Sequence, residues 1–485
     1  MKKKICLVLA IALGLAALSG CGAEKRVTVD ENGLYEIVWY DRGPSSADSV
    51  LVQEEANKYI KDKLTAKLKY QPVVGAEYNE KLQLALASGE KIDMCFTNAS
   101  NFYSNAINGA YLELDELLEE HAKEAKALVP EYVMAGAKVG GKLYAYPAYK
   151  DYAGENVFYY RQDLAEKYGL DMDSAKSFKD LEPALKTIKE NEPEIYPMTF
   201  LPQMGPFHLM PFDMIAGGVV GAVRYDVDDG KIVNPFELPE TVEMLRTVHD
   251  FYNKGYLRPD IATITSNADI QYTVFMNIYQ ELPYLVDQWN QTVPHPCAVW
   301  HGSEPRMNTA CIQGAMMAVS RTSEDPVKTV KFINLLNTDK YLRNLMAYGI
   351  EGKHYIAEGE NFYKLPEGVQ TLADTGYRSY VYTQGNKYLT RMIEGTPEDI
   401  YEKYQEFDAS SRKSPALGFM FDPSKVTAEI TAATNAYNEY MPSILSGAAN
   451  PDEYLPKALK SMKDAGLDRI LDEIQSQYDE WRKNK

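Results

Sequence analysis

The 485-residue chain holds 51 Lys and Arg against 69 Asp and Glu, a formal net charge of −18 at neutral pH, with 45% hydrophobic residues. That acidic balance argues against nucleic acid and against anionic lipid surfaces as partners. The apolar content is ample for a core, and the length suggests two or three domains.

Lys2, Lys3 and Lys4 precede an uncharged apolar run from Ile5 to Leu18, which closes in Leu18-Ser19-Gly20-Cys21. Basic, apolar and then small residues are the layout of a secretory signal. The run is shorter than the roughly 20 residues a membrane-spanning helix needs. Its last four residues resemble a bacterial lipobox. Residues 1–20 are therefore expected to be removed as a lipoprotein-type signal peptide, with Cys21 lipidated and the net charge falling from −18 to −21 as the three lysines leave. Two or more acyl chains hold such a protein firmly at a surface, so the membrane is met through the lipid anchor only. Residues 21–33 read as a polar tether. Cys95, Cys297 and Cys311 are too few, and odd in number, for a disulfide framework; a Cys297–Cys311 bridge is weighed against buried free thiols, and the thiols are favoured.

"YEIVWY" (Tyr35 to Tyr40) predicts a strand stopped by the turn-rich "DRGPSS". The helix "ADSVLVQEEANKYIKDKL", the strand "AKLKYQPV", the helix "YNEKLQLALASGE" and the strand "IDMCFT" follow. Alternating strands and helices predict an α/β fold with helices on the faces of a parallel sheet. From Gly141 to Tyr160 the chain packs six tyrosines into twenty residues, a density suited to either a core or a wet binding surface. The helices "FKDLEPALKTIKEN" and "LPETVEMLRTVHDFYNKG", the strand "YTVFMNIY" and a long helical region from Asp325 to Gly349 come next. Two helical stretches end the chain after Gly418.

Motifs for catalysis or metals are weak. "GAKVGGKL" (Gly136 to Leu143) has P-loop spacing, but Leu143 stands where a magnesium-binding hydroxyl is needed, so a Gly-Gly hairpin turn is the better reading. "DVDDG" (Asp226 to Gly230) has its glycine one position early for a calcium loop and reads as an acidic turn. His295, Cys297, His301 and Cys311 match no closed zinc motif. Nothing calls for a catalytic residue, a metal or a cofactor.

Taken in order, "LALASGEKIDMCFT" (84–97), "NGAYLELDELLEE" (108–120), "VGGKLYAYPAYKD" (139–151), "RQDLAEKYGLD" (161–171) and "YGIEGKHY" (348–355) resemble the family-1 extracellular solute-binding proteins of ATP-driven importers. Residues 417–481 resemble the uncharacterised domain that caps one branch of that family. The resemblance implies a two-lobed periplasmic-binding-protein-like fold with a hinge, an interlobe cleft and a helical C-terminal extension. Expected boundaries are 34–147 plus about 272–320 for lobe 1, 152–268 plus about 326–416 for lobe 2, and 417–485 for a cap region on lobe 2. Hinge crossings are expected near Pro147 to Tyr152, Asn267 to Tyr272 and Ser320 to Pro326.

The resemblance implies a non-catalytic protein that binds a small-molecule solute and delivers it to permease subunits, working as a monomer anchored on the extracellular face. Aromatic rings suit both sugar faces and peptides, and it is the resemblance that favours a carbohydrate, an oligosaccharide by preference; a peptide is the alternative, followed by a sensory role and a glycoside hydrolase. Ligands of open α/β sheets sit at strand ends. That rule nominates Tyr40, Asp41 and Arg42, then Thr97 and Asn98, then Tyr149 and Asp151 at the first crossing. Phe207, Tyr279, Gln280 and Tyr284 are the candidates from the second region.

Overall fold

The computed structural model describes residues 27–215, 221–264, 274–291 and 293–484. The signal segment, Cys21 and the expected Asn267 to Tyr272 crossing lie outside the described residues. Nine strands carry the two main sheets: β1 (Tyr35–Arg42), β2 (Ala66–Val73), β3 (Met94–Thr97), β4 (Tyr146–Pro147), β5 (Glu155–Arg161), β6 (Tyr196–Thr199), β7 (Val274–Glu281), β8 (Cys297–Trp300) and β9 (Met316–Val319).

The first sheet runs β2-β1-β3-β9-β4, with β1 parallel to β2 and β3, and β9 antiparallel to β3 and β4. Trp39, Phe96 and Phe332 are fully buried in the core it shares with its helices. The second sheet runs β8-β5-β7-β6, and Phe158, Phe178 and Phe251 form the core beneath it. Two lobes follow from two separate cores.

Local signals set the helices packed on each core. Asp325 caps Pro326–Thr338, its carboxylate accepting from the Lys328 amide at 3.0 Å, and Asp339 caps Lys340–Tyr348 in the same way. Asn450 caps Pro451–Asp464, where a proline again occupies the first turn. A side-chain acceptor before a first-turn proline satisfies otherwise unpaired amides and starts a helix with φ already set.

Among the described residues the chain passes between lobes at places that differ in part from those expected. The first crossing leaves β4 and enters β5, through residues 148–154. β7 pairs with β5 and β6, placing Val274–Glu281 in the second sheet, and β8 joins it there. Val274–Glu281 and Cys297–Trp300 thus belong with lobe 2 and not, as expected for 272–320, with lobe 1, and Ile261 packs in the same lobe 2 core. The second crossing is the segment from His301 to Ala315. Ser320 to Pro326 is no crossing either: Val330, Ile333, Leu342 and Leu345 pack into the first core, so the helices from Pro326 onward belong to lobe 1. The third crossing follows Ser410. These crossings run side by side, Gly154 bridging Arg306 and Arg306 pairing Arg412.

Beyond Pro415 the chain builds on lobe 2. Met441, Ile444 and Leu455 bury Phe236 and Leu245, while Ile470, Ile474 and Tyr478 bury Val223. No described helix is long and apolar enough to cross a membrane.

Candidate functional site

Strand register brings one edge of each sheet to the cleft. Met316 opposes both Thr97 and Pro147, so the ends of β3 and β4 and the start of β9 lie in a row on lobe 1. Glu281 opposes Glu155 in a matching position on lobe 2. Between the lobes lies a cavity of about 610 Å³.

Its lobe 1 wall is the loop and short helix after β3, with Ala99, Ser100 and Tyr103 facing in. The loop is fixed by one amide. Asn101 accepts from the Thr97 hydroxyl at 2.7 Å and the Asn98 amide at 3.3 Å, and donates to Asn79 at 3.0 Å. Asn98 in turn accepts from the Ser100 amide. Thr97 and Asn98 therefore shape the wall from behind and do not line it.

The opposite wall combines Asp213 and Met214 of lobe 2 with Phe419, Met420 and Phe421 of the C-terminal region. Thr309, Ala310 and Gln313 of the second crossing close the floor. Gln313 is buried and donates to the Gly136 carbonyl at 2.7 Å and to the Met420 sulfur at 2.9 Å, joining lobe 1 to the C-terminal loop. Asp213 accepts from Asn308 at 2.8 Å; burial pushes its carboxyl up to about 6, against the hydrogen bonds from Ser414 and Asn308. Tyr103 is raised to about 12 by burial and by the facing Asp422 carboxylate. Asp213 is the one carboxylate among the described residues that line this cavity. A glycoside hydrolase needs two, and no described cluster of three or more metal-ligating side chains exists.

Several nominated residues sit elsewhere. Tyr40 is packed against Tyr78, and Asp41 is fully buried, taking hydrogen bonds from Tyr70 at 2.9 Å and Gln384 at 2.7 Å. Burial lifts the Asp41 carboxyl to about 7. These two corrections share a cause: β1 lies between β2 and β3 and is covered on both faces, so its last residues still point into a core. Arg42 is half-buried under the stacked pair Tyr380 and Tyr382, donating to the Tyr382 hydroxyl at 3.1 Å. Phe207 stacks on Phe236 at 4.9 Å within the C-terminal helix cluster and is core.

Tyr149 and Asp151 stay at the hinge. Tyr149 meets Tyr388 edge-on at 4.9 Å and accepts from Gln405 at 3.2 Å. Asp151 pairs with Lys387; burial works against its charged form, but Lys387 and Lys150 hold it below the usual carboxylate range. Asp408 grips the same crossing, accepting from the Tyr152 and Ala153 amides at 3.0 and 2.7 Å. Tyr279 packs on Trp289 at 4.6 Å, Gln280 lies against Gly154, and Tyr284 donates to Asp399 at 3.2 Å. Of the eleven nominated residues, none lines the 610 Å³ cavity.

The free cysteines Cys95, Cys297 and Cys311 form no disulfide. The acidic turn has each carboxylate beside a cation: Asp226 with Arg224, Asp228 with Arg482, Asp229 with Lys231.

The residues missed in the sequence are Tyr103, Asp213, Gln313 and the Phe419 to Phe421 run. The run's three consecutive large apolar residues were a signal, but one equally suited to a core.

Residues 43–342 match the family of bacterial extracellular solute-binding proteins, and residues 415–483 match a domain of unknown function. A carbohydrate ABC transporter substrate-binding protein of Streptococcus pneumoniae is 32% identical over 488 positions, covering 99% of this chain and 97% of the relative. Lipoprotein LipO of Bacillus subtilis is 23% identical over 66% of each chain. The crystal structure of an N-glycan transport solute-binding protein from S. pneumoniae superposes with a TM-score of 0.83 at 30% identity, covering 93% of this chain and 99% of that one. In complex with Man1GlcNAc the same protein gives 0.72, and with Man5GlcNAc 0.68.

Proposed function

The chain belongs to the bacterial extracellular solute-binding proteins, and from that premise we propose that it captures an N-glycan-type oligosaccharide between its lobes and delivers it to the permease of an ATP-driven importer. A lipid on Cys21 tethers it to the outer face of the cell membrane, where it works as a monomer. The observation that carries this reading is the cavity walled by Tyr103 of lobe 1 and Asp213 of lobe 2 beside three adjacent crossings. A ligand touching both walls stabilises the arrangement in which they approach, which is the physics of hinge closure.

A tyrosine face, a buried carboxylate and a set of backbone groups suit a sugar, whose ring faces are apolar and whose edges are hydroxyls. Binding occurs without turnover. Calorimetric titration with Man1GlcNAc, Man5GlcNAc and a pool of peptides tests this: saturable binding of a glycan with no product over hours is expected. Binding of peptides alone, or release of a free sugar, overturns it.

A further inference from the structure

A second cavity, of about 700 Å³, adjoins the first and shares Tyr103, Phe419 and Met420 with it. One wall is a lobe 1 hairpin in which Lys138–Val139 pairs with Lys142–Leu143 across Gly140-Gly141. Both glycines have positive φ, +57° and +81°, which only glycine adopts readily, and a Cβ on either meets nothing within 4 Å, so the turn borders open space. The other wall is the C-terminal domain. Gln477 brackets Asp422 on both sides, accepting from its amide at 2.8 Å and donating to its carbonyl at 2.9 Å. Trp481 lies stacked on Tyr478, with ring centroids 5.7 Å apart and planes 17° from parallel, and against Phe419.

This wall is an indole plane held in place, surrounded by polar groups of both signs. Lys138 and Lys425 oppose Asp422 and Glu480 around the cavity, so it favours neither an anion nor a cation. A neutral ligand rich in hydroxyls, with apolar faces for the indole, satisfies such a surface. The cavity opens from the first at Tyr103, whose hydroxyl faces Asp422 of the C-terminal domain.

The geometry points to this outer cavity as a second carbohydrate subsite, which takes the units of a long or branched glycan that extend past Tyr103. The inference rests on the proposed function. It gives the C-terminal domain a role: it sets selectivity for ligand length by supplying the wall that only a longer glycan reaches.

Two substitutions in the full-length chain test it, read as the ratio of Man5GlcNAc to Man1GlcNAc affinity by calorimetric titration. Trp481→Ala removes the indole plane, and Lys138→Trp fills the cavity from a half-buried strand position. The unsubstituted chain is expected to bind the longer glycan more tightly, and each variant to lower the ratio by about tenfold, Trp481→Ala by losing one aromatic contact and its burial and Lys138→Trp by excluding the extra units from the cavity. Circular dichroism establishes folding; should Trp481→Ala fail to fold, Lys138→Trp decides alone. An unchanged ratio in folded Lys138→Trp, or equal affinities in the unsubstituted chain, overturns the inference while leaving the proposed function standing. Failure to bind either glycan overturns the proposed function itself, and the inference with it.

Discussion

The two walls of the inner cavity are held by different means. On lobe 1, the loop after β3 is fixed by the side-chain hydrogen bonds of Asn101 to Thr97, Asn98 and Asn79, and it presents Tyr103 from a firm base. Across the cleft, Phe419 and Phe421 are placed by packing against the C-terminal helices, while Met420 turns its flexible thioether toward the lobe 1 core and accepts from Gln313. Hydrogen bonds fix direction, whereas packing fixes volume and tolerates adjustment. On the proposed function, one wall orients the ligand and the other accommodates it.

Removing the lobe 1 ring that both cavities share breaks this comparison most strongly. Tyr103→Ala is expected to weaken glycan binding by about tenfold or more, since a stacking ring and its burial are lost together. Titration with a melting curve checks it; unchanged affinity would return Tyr103 to the scaffold. Asn101→Ala tests whether the first wall depends on its amide hub. Leaving the Thr97 hydroxyl and the Asn98 amide without that acceptor should cost about 1–3 kcal/mol of stability and weaken binding severalfold, as measured by denaturant unfolding and titration.

The opposite wall is expected to respond to pH. The folded-state pKa of Asp213 is raised from 3.8 to about 6, so its contribution to stability is full below the unfolded value and is lost as pH rises through about 6. Asp41, raised to about 7, adds to the same trend. Melting temperature should fall by a few degrees between about pH 5 and pH 7.5, and Asp213→Asn should flatten that slope. A slope unchanged by the substitution would contradict the assignment. Tyr149→Ala has the smallest expected effect: its ring packs at the hinge on Tyr388, so about 1 kcal/mol of stability is lost and affinity shifts less than about threefold.

Much of the architecture was legible in local residue patterns. The alternation of β1, β2 and β3 with helices, the Gly140-Gly141 turn and the first crossing near Pro147 to Tyr152 all follow from residues adjacent in sequence. Sheet membership did not. β7 is buried along almost its whole length, so its apolar run marks it as a strand without saying which sheet it joins; that depends on register with β5, more than a hundred residues earlier. The helices from Pro326 onward were misplaced for the same reason. Of the strand-end candidates, Thr97 and Asn98 support the cavity loop of lobe 1 without lining the cavity. Strand ends could not reveal that Phe419 to Phe421, from the far end of the chain, face that loop, because nothing local separates a cavity wall from a core.

A crystal structure of the chain soaked with Man5GlcNAc tests the central claim most directly. The account predicts glycan between the lobes, in contact with Tyr103 on one side and Asp213 on the other. Glycan bound away from both residues, or none at saturating concentration, would contradict it.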